Sequence, residues 1–195
     1  MQLIFATNNQ HKVDEIKVVL PTNIKVLSLK DANIDIDIPE PYATLQDNAR
    51  EKAIIIYGLT KTACFSEDTG LEVKALNGEP GVLSARYAGD GKSFDKNIEK
   101  LLNNLRNHGE RAAQFRTVIC LIINDIEYYF EGICEGVITE QLSGNGGFGY
   151  DPVFMPKGAD KTFAQMSLYE KNIYSHRRKA VDKLVAFLNN LSVKL

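Results

Sequence analysis

The sequence lacks an excess of charge of either sign. Its 195 residues include 23 lysines and arginines against 25 aspartates and glutamates, for a formal net charge of −2. Proteins that bind duplex nucleic acid carry a clear basic excess, so this composition predicts no nucleic-acid partner. An anionic ligand would therefore have to be bound by a local cluster of cations.

Long hydrophobic runs are also missing. No segment approaches the roughly 20 apolar residues that span a bilayer, so no membrane association is expected. The short apolar stretch Leu3-Ile4-Phe5-Ala6 has no basic region before it and no small-residue cleavage site behind it. This arrangement argues against a signal peptide.

Cysteine is scarce, which excludes a disulfide framework. Cys64, Cys120 and Cys134 are an odd number of cysteines, widely spaced in apolar, strand-like surroundings. This pattern is typical of reduced, buried thiols in a cytoplasmic protein and does not match a zinc site.

No internal repeat, low-complexity tract or long linker divides the chain. Residues 1–195 are therefore predicted to form a single two-lobed domain, long enough to bury a core without disulfides or a structural metal. Apolar periodicity predicts helices that alternate with strands early in the chain and a hairpin late in it. These signals favour an α/β fold with a mixed central sheet, flanked by helices and forming two lobes with an active-site cleft between them.

The predicted elements have defined limits. The strands are Leu3 to Ala6, Ile24 to Leu29, Lys61 to Ser66, Ala113 to Asn124 and Glu127 to Thr139, the last two joined by a tight turn at Asn124-Asp125. The helices run from about Gln10 to before Pro21, from Thr44 to Gly58, from Phe94 to Leu105, and onward from Ser175.

The first candidate site is Thr7-Asn8-Asn9-Gln10-His11-Lys12, where a strand ends and a helix begins. Free backbone N–H groups and the helix dipole favour an anion at such a position, and the lysine suits a phosphate tail. An ordinary asparagine-rich N-cap beside a solvated lysine would have the same pattern, because no Walker-type glycine loop is present.

The second candidate site is acidic. Glu40 lies in a long polar excursion, and Glu67-Asp68 follow a predicted strand. Mg²⁺ takes oxygen ligands, usually one or two carboxylates with water and substrate phosphates. Consecutive strand residues point to opposite faces, so Glu67 and Asp68 would serve one metal only if the chain turned at Thr69-Gly70. Solvated acids in a turn are the alternative.

The third candidate site is the glycine-rich stretch from Ser143 to Pro152. Its glycines would carry an entropic cost inside a regular element, so a loop that a ligand approaches closely is favoured. Phe148 and Tyr150 could offer a stacking face for a base, and Asp151 could anchor the loop or the ligand. A flexible hairpin connection whose aromatic rings pack into the core is the alternative.

The fourth candidate site is Lys171 with the run Ser175-His176-Arg177-Arg178-Lys179. Ser175 is a good N-cap, yet each exposed cation in a first turn opposes the helix dipole by about 0.3–1 kcal/mol. A polyphosphate bound at this helix start would reverse the sign of that effect. A solvated basic patch is the alternative.

In chain order, these segments resemble those of the inosine triphosphate pyrophosphatase family, also called the XTP/dITP diphosphatases, over nearly the whole chain. The similar segments are the T-x-x-x-x-K phosphate-binding segment at Thr7 to Lys12, the acidic stretch Ser66 to Leu71 with Gly78 to Gly81 and Ser84 to Gly89, the base-binding loop Gly147 to Pro152, and the S-H-R signature at Ser175 to Arg177.

The resemblance implies an elongated two-lobed α/β fold, a homodimer and a Mg²⁺-assisted attack of water on the α-phosphorus of a purine nucleoside triphosphate. Asp68 matches the general base and metal ligand, and Glu40 matches a metal-ligand glutamate. With the loop residues above, the predicted substrate-binding set is Thr7, Asn8, Asn9, Lys12, Thr69, Phe148, Gly149, Tyr150, Asp151, Lys171, His176 and Arg177.

The implied activity is cleavage of ITP, dITP and XTP to the monophosphate and pyrophosphate. Donors on His176 and Arg177 could meet a six-keto oxygen, whereas the amino group of adenine would leave them unpaired at a cost of roughly 1–3 kcal/mol. Three positions depart from the family pattern. Glu67 stands where many relatives have Asp, Asp47 where many have Glu, and Arg178 where bacterial relatives often have a small residue.

Two other functions are compatible with parts of the pattern. A pyrophosphatase of the Maf type would use a similar arrangement of acids and phosphate contacts, but the S-H-R and F-G-Y-D segments argue against it. A nucleotide sensor or single-strand RNA-binding module would use aromatic residues among glycines, but it would not need Glu40 and Asp68.

Overall fold

A computed structural model describes residues 1–192. The strands are β1 (Gln2–Phe5), β2 (Lys25–Ser28), β3 (Cys64–Val73), β4 (Pro80–Gly81), β5 (Ala112–Ile123), β6 (Ile126–Ile138) and β7 (Phe154–Pro156). The helices are α1 (Gln10–Val19), α2 (Leu45–Thr60), α3 (Phe94–Asn104), α4 (Leu168–Tyr174) and α5 (His176–Ser192).

The strands form one mixed sheet in the order β2-β1-β3-β5-β6-β7, and β4 pairs with β3. β1 is parallel to both β2 and β3, whereas β4 and β7 are antiparallel to their partners. Asn124 and Asp125 join β5 to β6, and both have positive φ, at 52° and 61°. Asn and Asp tolerate this conformation, which matches the twist of paired strands, so the predicted hairpin is confirmed.

The chain divides into two compact units, and β3, β5 and β6 contribute residues to both. Unit 1 comprises residues 1–68 and 117–132 and the chain from 177 onward. Unit 2 comprises residues 69–116 and 133–176. The mixed α/β fold predicted from the sequence is confirmed.

Unit 1 buries both faces of β1. Leu3 and Phe5 pack in a cluster with residues of α1 and α5, whereas Ile4 and Ala6 pack in a second cluster with residues of α2. Side chains alternate along a strand, so a strand covered on both sides must be apolar at every position. This requirement explains the uninterrupted run from Leu3 to Ala6.

Unit 2 has its own core, built on alternate residues of β3, β5 and β6. Leu71 and Val73 of β3 pack with Phe115 of β5 and Leu101 of α3. The rings of Phe115 and Phe154 meet edge to face, with centroids 4.7 Å apart. The helix predicted from Phe94 to Leu105 is therefore confirmed as α3, with Leu101 in the core.

Two predicted elements end later than expected, and one helix was not predicted. β3 does not end before Glu67 but continues through Asp68 to Val73, because the buried residues that follow join the core of unit 2. α2 passes Gly58 and ends at Thr60, where Lys61 adopts a left-handed conformation with φ of 50°. A separate helix, α4, precedes α5 and begins with a Ser167–Glu170 capping box that the sequence analysis missed.

Among residues 1–192, no helix combines the length and the apolar character needed to cross a membrane.

Candidate active site

The predicted phosphate-binding loop lies between β1 and α1, and its own side chains hold it. Asn9 is the N-cap of α1 and accepts a hydrogen bond from the Lys12 backbone N–H at 3.3 Å. The Thr7 hydroxyl accepts from the Asn9 N–H at 3.2 Å. No acidic side chain occupies the first turn of α1, so the positive end of the helix dipole is not compensated there. This geometry suits an anion, and the binding of phosphate stays a prediction.

Glu67 and Asp68 have different partners, as their alternation along β3 requires. Glu67 pairs with Arg177 and with Lys12, whereas Asp68 pairs with Lys52. The turn at Thr69-Gly70 that would have brought both carboxylates to one ligand is absent, because β3 runs straight through these residues. Two separate ionic clusters result.

Arg177 and Glu67 form the centre of the first cluster. The Arg177 Nε and Nη2 donate to the Glu67 carboxylate over 2.8–3.0 Å, and Nη1 donates to Glu15. Lys12 Nζ lies 3.3 Å from Glu67 Oε1. Two cations and two carboxylates thus balance one another in a buried setting, which such charges require.

Burial would raise the pKa of Glu67, but the charges and hydrogen bonds of Arg177 and Lys12 outweigh it and lower this pKa to about 2. Burial likewise disfavours the charged form of Arg177, yet Glu67 and Glu15 raise its pKa above the usual value. The alternative of a solvated basic patch is therefore wrong for Arg177, which is buried, although Lys179 is exposed. Arg178 pairs instead with Asp182 on the same helix at 2.7 Å.

Lys52 is the centre of the second cluster, and the sequence analysis missed it. Its Nζ contacts Glu40 and lies 3.3 Å from Asp68 Oδ1. The missed signal was a lysine on the face of α2 that also carries Leu45, Ala49, Ala53 and Ile56. A charge on an apolar face must find a buried partner, and Lys52 finds two.

Burial raises the pKa of Asp68, and nearby Glu40 acts in the same direction, against the opposing effect of Lys52 and Lys12. Burial disfavours the charge on Lys52, but Asp68 and Glu40 together raise the lysine's pKa. Lys52 therefore stays cationic, while Asp68 holds its negative charge less firmly than an exposed aspartate.

The donor set around Lys52 fits a Mg²⁺ ion. Glu40 and Asp68 converge on a single ammonium group, so their oxygens already face a common cation. Among the described residues, no group of three or more histidine, cysteine, aspartate or glutamate side chains forms a metal cage. Mg²⁺ usually takes one or two carboxylates and completes its shell with water and substrate phosphates, which this pair allows.

In unit 2, Asp151 organises the glycine-rich loop. Its carboxylate accepts the Phe148 N–H at 2.9 Å and the Lys171 ammonium at 2.6 Å. Gly147 has φ of 72°, and a Cβ there would stand 2.0 Å from Asp151 Oδ2. Only glycine satisfies both conditions at this position.

Lys171 also lies near two aromatic rings. Its Nζ is 5.1 Å from the Phe148 ring centroid and 5.2 Å from that of Phe163. These distances are within the range of cation–π attraction. The loop therefore presents a half-exposed phenylalanine backed by a neutralised lysine.

The other aromatic candidates of unit 2 belong to its core. Tyr150 is buried and donates its hydroxyl hydrogen to the Ser84 carbonyl at 3.0 Å. His176 is buried and stacks on Phe115, with ring centroids 4.7 Å apart. Of the two rings predicted to offer a stacking face, Phe148 is half-exposed, whereas Tyr150 is buried.

The predicted site residues fall into two sets. Unit 1 holds Thr7, Asn8, Asn9, Lys12, Glu40, Asp68 and Arg177, and unit 2 holds Thr69, Phe148, Gly149, Tyr150, Asp151, Lys171 and His176. Within unit 1, Glu40 and Asp68 come together on Lys52, and Lys12 and Arg177 on Glu67. Within unit 2, Phe148, Asp151 and Lys171 come together. Their roles toward a substrate stay predictions.

Comparisons with known proteins identify the relatives of this chain. A dITP/XTP pyrophosphatase of Flavobacterium johnsoniae is 50% identical over 188 residues, covering 96% of this chain and 98% of the relative. The structure of the Staphylococcus aureus Ham1 protein superposes with a TM-score of 0.88 at 42% identity, covering 97% of this chain and 99% of that one.

A HAM1 protein from Coxiella burnetii superposes with a TM-score of 0.89 at 33% identity, with 97% and 99% of the two chains covered. The resemblance stated from the motifs is confirmed by these relatives. The profile of the Ham1 family matches residues 3–187, and the chain therefore belongs to the Ham1 family.

Proposed function

We propose that this protein is a Mg²⁺-dependent pyrophosphatase that cleaves dITP, ITP and XTP to the monophosphate and pyrophosphate. The observation that carries the proposal is the convergence of Glu40 and Asp68 on Lys52 in a chain 50% identical to a dITP/XTP pyrophosphatase. A buried and a partly exposed carboxylate that share one cation suit hydrolysis of a phosphate anhydride.

Asp68 acts as the general base. It accepts a proton from a water molecule whose oxygen forms a bond to the α-phosphorus, while the bond from that phosphorus to the oxygen bridging to the β-phosphate breaks. Pyrophosphate leaves with the bond's electron pair. The raised pKa of Asp68 suits this role, because a base is most effective when its pKa approaches the working pH.

Glu40 and Asp68 would hold Mg²⁺, with substrate phosphates and water as its other ligands. When bound, this ion neutralises charge on the phosphate oxygens as the anhydride breaks. Lys52 orients both carboxylates through its two contacts. Its fixed position reduces the rearrangement needed at the moment of reaction.

Lys12 and the backbone from Thr7 to Asn9 bind the triphosphate tail. The positive end of the α1 dipole and the lysine ammonium both favour phosphate oxygens. Glu67 restrains Lys12 and, with its pKa near 2, stays anionic at neutral pH. The lysine is therefore positioned before the substrate arrives.

Phe148 stacks on the purine, and its loop is held by Asp151 and Lys171. Hydrogen-bond donors near the six-keto oxygen allow the enzyme to discriminate hypoxanthine and xanthine from adenine. The amino group of adenine would leave a buried donor unpaired. We assign this role to His176 or Arg177, from the residues that the family motif identifies.

We also propose that the protein is a homodimer that acts on the nucleotide pool of the cytoplasm. The free state of Cys64, Cys120 and Cys134 is consistent with a reducing compartment. Light scattering of the purified protein would measure its mass against the 21.8 kDa of one chain.

The deciding experiment measures pyrophosphate release from ITP, dITP, XTP, ATP and the pyrimidine nucleoside triphosphates, with Mg²⁺ and with EDTA. We expect release from the first three nucleotides only when Mg²⁺ is present. Preferential cleavage of pyrimidine nucleotides would favour a Maf-type enzyme. Tight nucleotide binding without any release would indicate a sensor and refute the proposal.

A further inference from the structure

The segment that carries Glu40 is unusual, because residues 34–40 form neither helix nor strand. Isoleucines 34, 36 and 38 pack against the apolar cluster on the α2 side of unit 1, whereas Asp35 and Asp37 are exposed. The alternation is that of a strand, but the segment is not part of the sheet. Regular ladder hydrogen bonds therefore do not set its position.

Hydrogen bonds hold both ends of this segment. At its start, the Ile34 N–H donates to the Leu29 carbonyl at 2.9 Å. Beyond its end, the buried Asn48 side chain both accepts from the Tyr42 N–H and donates to the Tyr42 carbonyl, at 2.9 and 3.0 Å. Between these anchors lies Ile36, four residues before Glu40.

Asn8 supplies a contact between these anchors. Its side-chain Nδ2 donates to the Ile36 carbonyl at 2.9 Å. Asn8 belongs to the loop between β1 and α1, four residues before Lys12, so the bond joins the two segments that carry the predicted phosphate and metal ligands. An extended segment rises about 3.3 Å per residue, so a slip of one residue would carry Glu40 away from Lys52.

We propose that Asn8 is a positioning residue, which fixes the Glu40 segment against the phosphate-binding loop. This inference rests on the proposed function, because it concerns the metal carboxylate of that site. In this role the Asn8 side chain binds the Ile36 carbonyl and does not contact substrate phosphate directly. Without the bond, Glu40 would occupy its place beside Lys52 for less of the time.

The test compares Asn8→Ala with Gln10→Ala in nucleotide-free protein. Gln10 is a matched control, because its exposed amide donates to Asp14 within α1 at 2.7 Å and does not reach the Glu40 segment. Hydrogen–deuterium exchange reports the mobility of residues 34–38. Titration with Mn²⁺, a surrogate for Mg²⁺, reports whether Glu40 is in place.

We expect Asn8→Ala to speed exchange in residues 34–38 and to weaken Mn²⁺ binding, each by about two- to tenfold, the range of one net hydrogen bond. Gln10→Ala should change neither. In assays of ITP turnover, the Mg²⁺ concentration for half-maximal rate should rise by the same two- to tenfold in Asn8→Ala.

Two results would overturn the proposal. Faster exchange with unchanged Mn²⁺ binding would show that the bond holds the segment but not Glu40. An increased KM for ITP with unchanged Mn²⁺ binding would show that Asn8 contacts the nucleotide. If the wild-type protein releases no pyrophosphate, the proposed function fails, but the Mn²⁺ titration still decides the role of Asn8.

Discussion

Among residues 1–192, each unit of the molecule buries one lysine, and the two lysines have different neighbours. Lys52 in unit 1 contacts the carboxylates of Glu40 and Asp68, whereas Lys171 in unit 2 contacts the carboxylate of Asp151 and two aromatic rings. The carboxylates of Glu40 and Asp68 exceed the ammonium of Lys52 by one negative charge when all three groups are ionised. Lys171 and Asp151 carry equal and opposite charges and lie beside aromatic rings.

This difference indicates a division of labour. A cluster with a spare negative charge can accept a further cation, and so can support metal-dependent phosphate chemistry. A neutral cluster beside a half-exposed ring suits an uncharged, planar base. The same buried residue type has different neighbours in the two units, and the two roles proposed for these clusters follow from that difference.

The largest effect is expected from Asp68→Asn, which removes the base but keeps the shape. Turnover of ITP should fall by about 10²- to 10⁴-fold, because an amide cannot accept the proton from water. Asp125→Asn in the exposed hairpin is the control and should keep normal turnover. Circular dichroism would verify folding, and a variant that keeps more than about a tenth of kcat would exclude Asp68 as the base.

The paired variants Lys52→Met and Lys171→Met compare the two clusters directly. Each leaves a buried carboxylate without its cation, which should lower the free energy of unfolding by about 3–5 kcal/mol. Mg²⁺ should restore part of that loss only in Lys52→Met, since a ligand that binds the folded state stabilises it. Urea denaturation with and without Mg²⁺ measures this, and equal rescue of both variants would contradict the contrast.

Acid should weaken unit 1 through Glu67. Its pKa is lowered in the folded state to about 2 from 4.5, so its contribution is complete above pH 4.5 and is lost as the pH falls toward 2. The contribution is about 3 kcal/mol, and Glu67→Gln should remove this part of the pH dependence.

Glu170 in unit 2 is the matched control for Glu67. Its pKa is also lowered to about 2, through hydrogen bonds from Ser167, but the side chain is exposed to solvent. Glu170→Gln should therefore flatten the acid profile less than Glu67→Gln does, because solvent screens exposed pairs. Urea midpoints measured from pH 6 to pH 3 test this order, and the reverse order would show that burial is not the cause.

The smallest effect concerns the glycine-rich loop of unit 2. Gly147→Ala and Gly149→Ala both place a Cβ at positive φ, at 72° and 62°, but only the first meets Asp151. Gly147→Ala should therefore lower the free energy of unfolding by about 1–3 kcal/mol more than Gly149→Ala does. Gly147→Ala should also raise KM for ITP. Equal losses of unfolding free energy in the two variants would show that the contact with Asp151 does not matter.

Much of the fold followed from the sequence because local periodicity reports burial. The run Leu3 to Ala6 and the spacing in α3 predicted their elements well, and Asn124-Asp125 predicted the hairpin. The predicted strand ended at Ser66 because Glu67 and Asp68 are charged, and charged residues are uncommon inside a buried strand. Their buried partners, Arg177 and Lys52, come from distant parts of the chain.

The sequence indicated individual residues of the candidate site, but it did not show which of them form ion pairs. The motifs indicated Glu40, Asp68, Lys12 and Arg177, whereas Lys52 and Glu15 went unnoticed. Both lie in helices whose other features were ordinary. A buried charge can be recognised in a sequence only when the burial of its position is inferred first. For Lys52, its place on the apolar face of α2 would have allowed that inference.

By itself, the sequence determined the local conformations: the helix starts at Asn9 and Thr44, the hairpin, and the glycines where the backbone takes positive φ. Those depend on side chains a few residues apart, so adjacent chemistry suffices. Only the tertiary structure decided which cation neutralises which carboxylate. Arg177 and Glu67 are 110 residues apart, and such a pair is selected by the packing of whole elements because burying either charge alone is prohibitive.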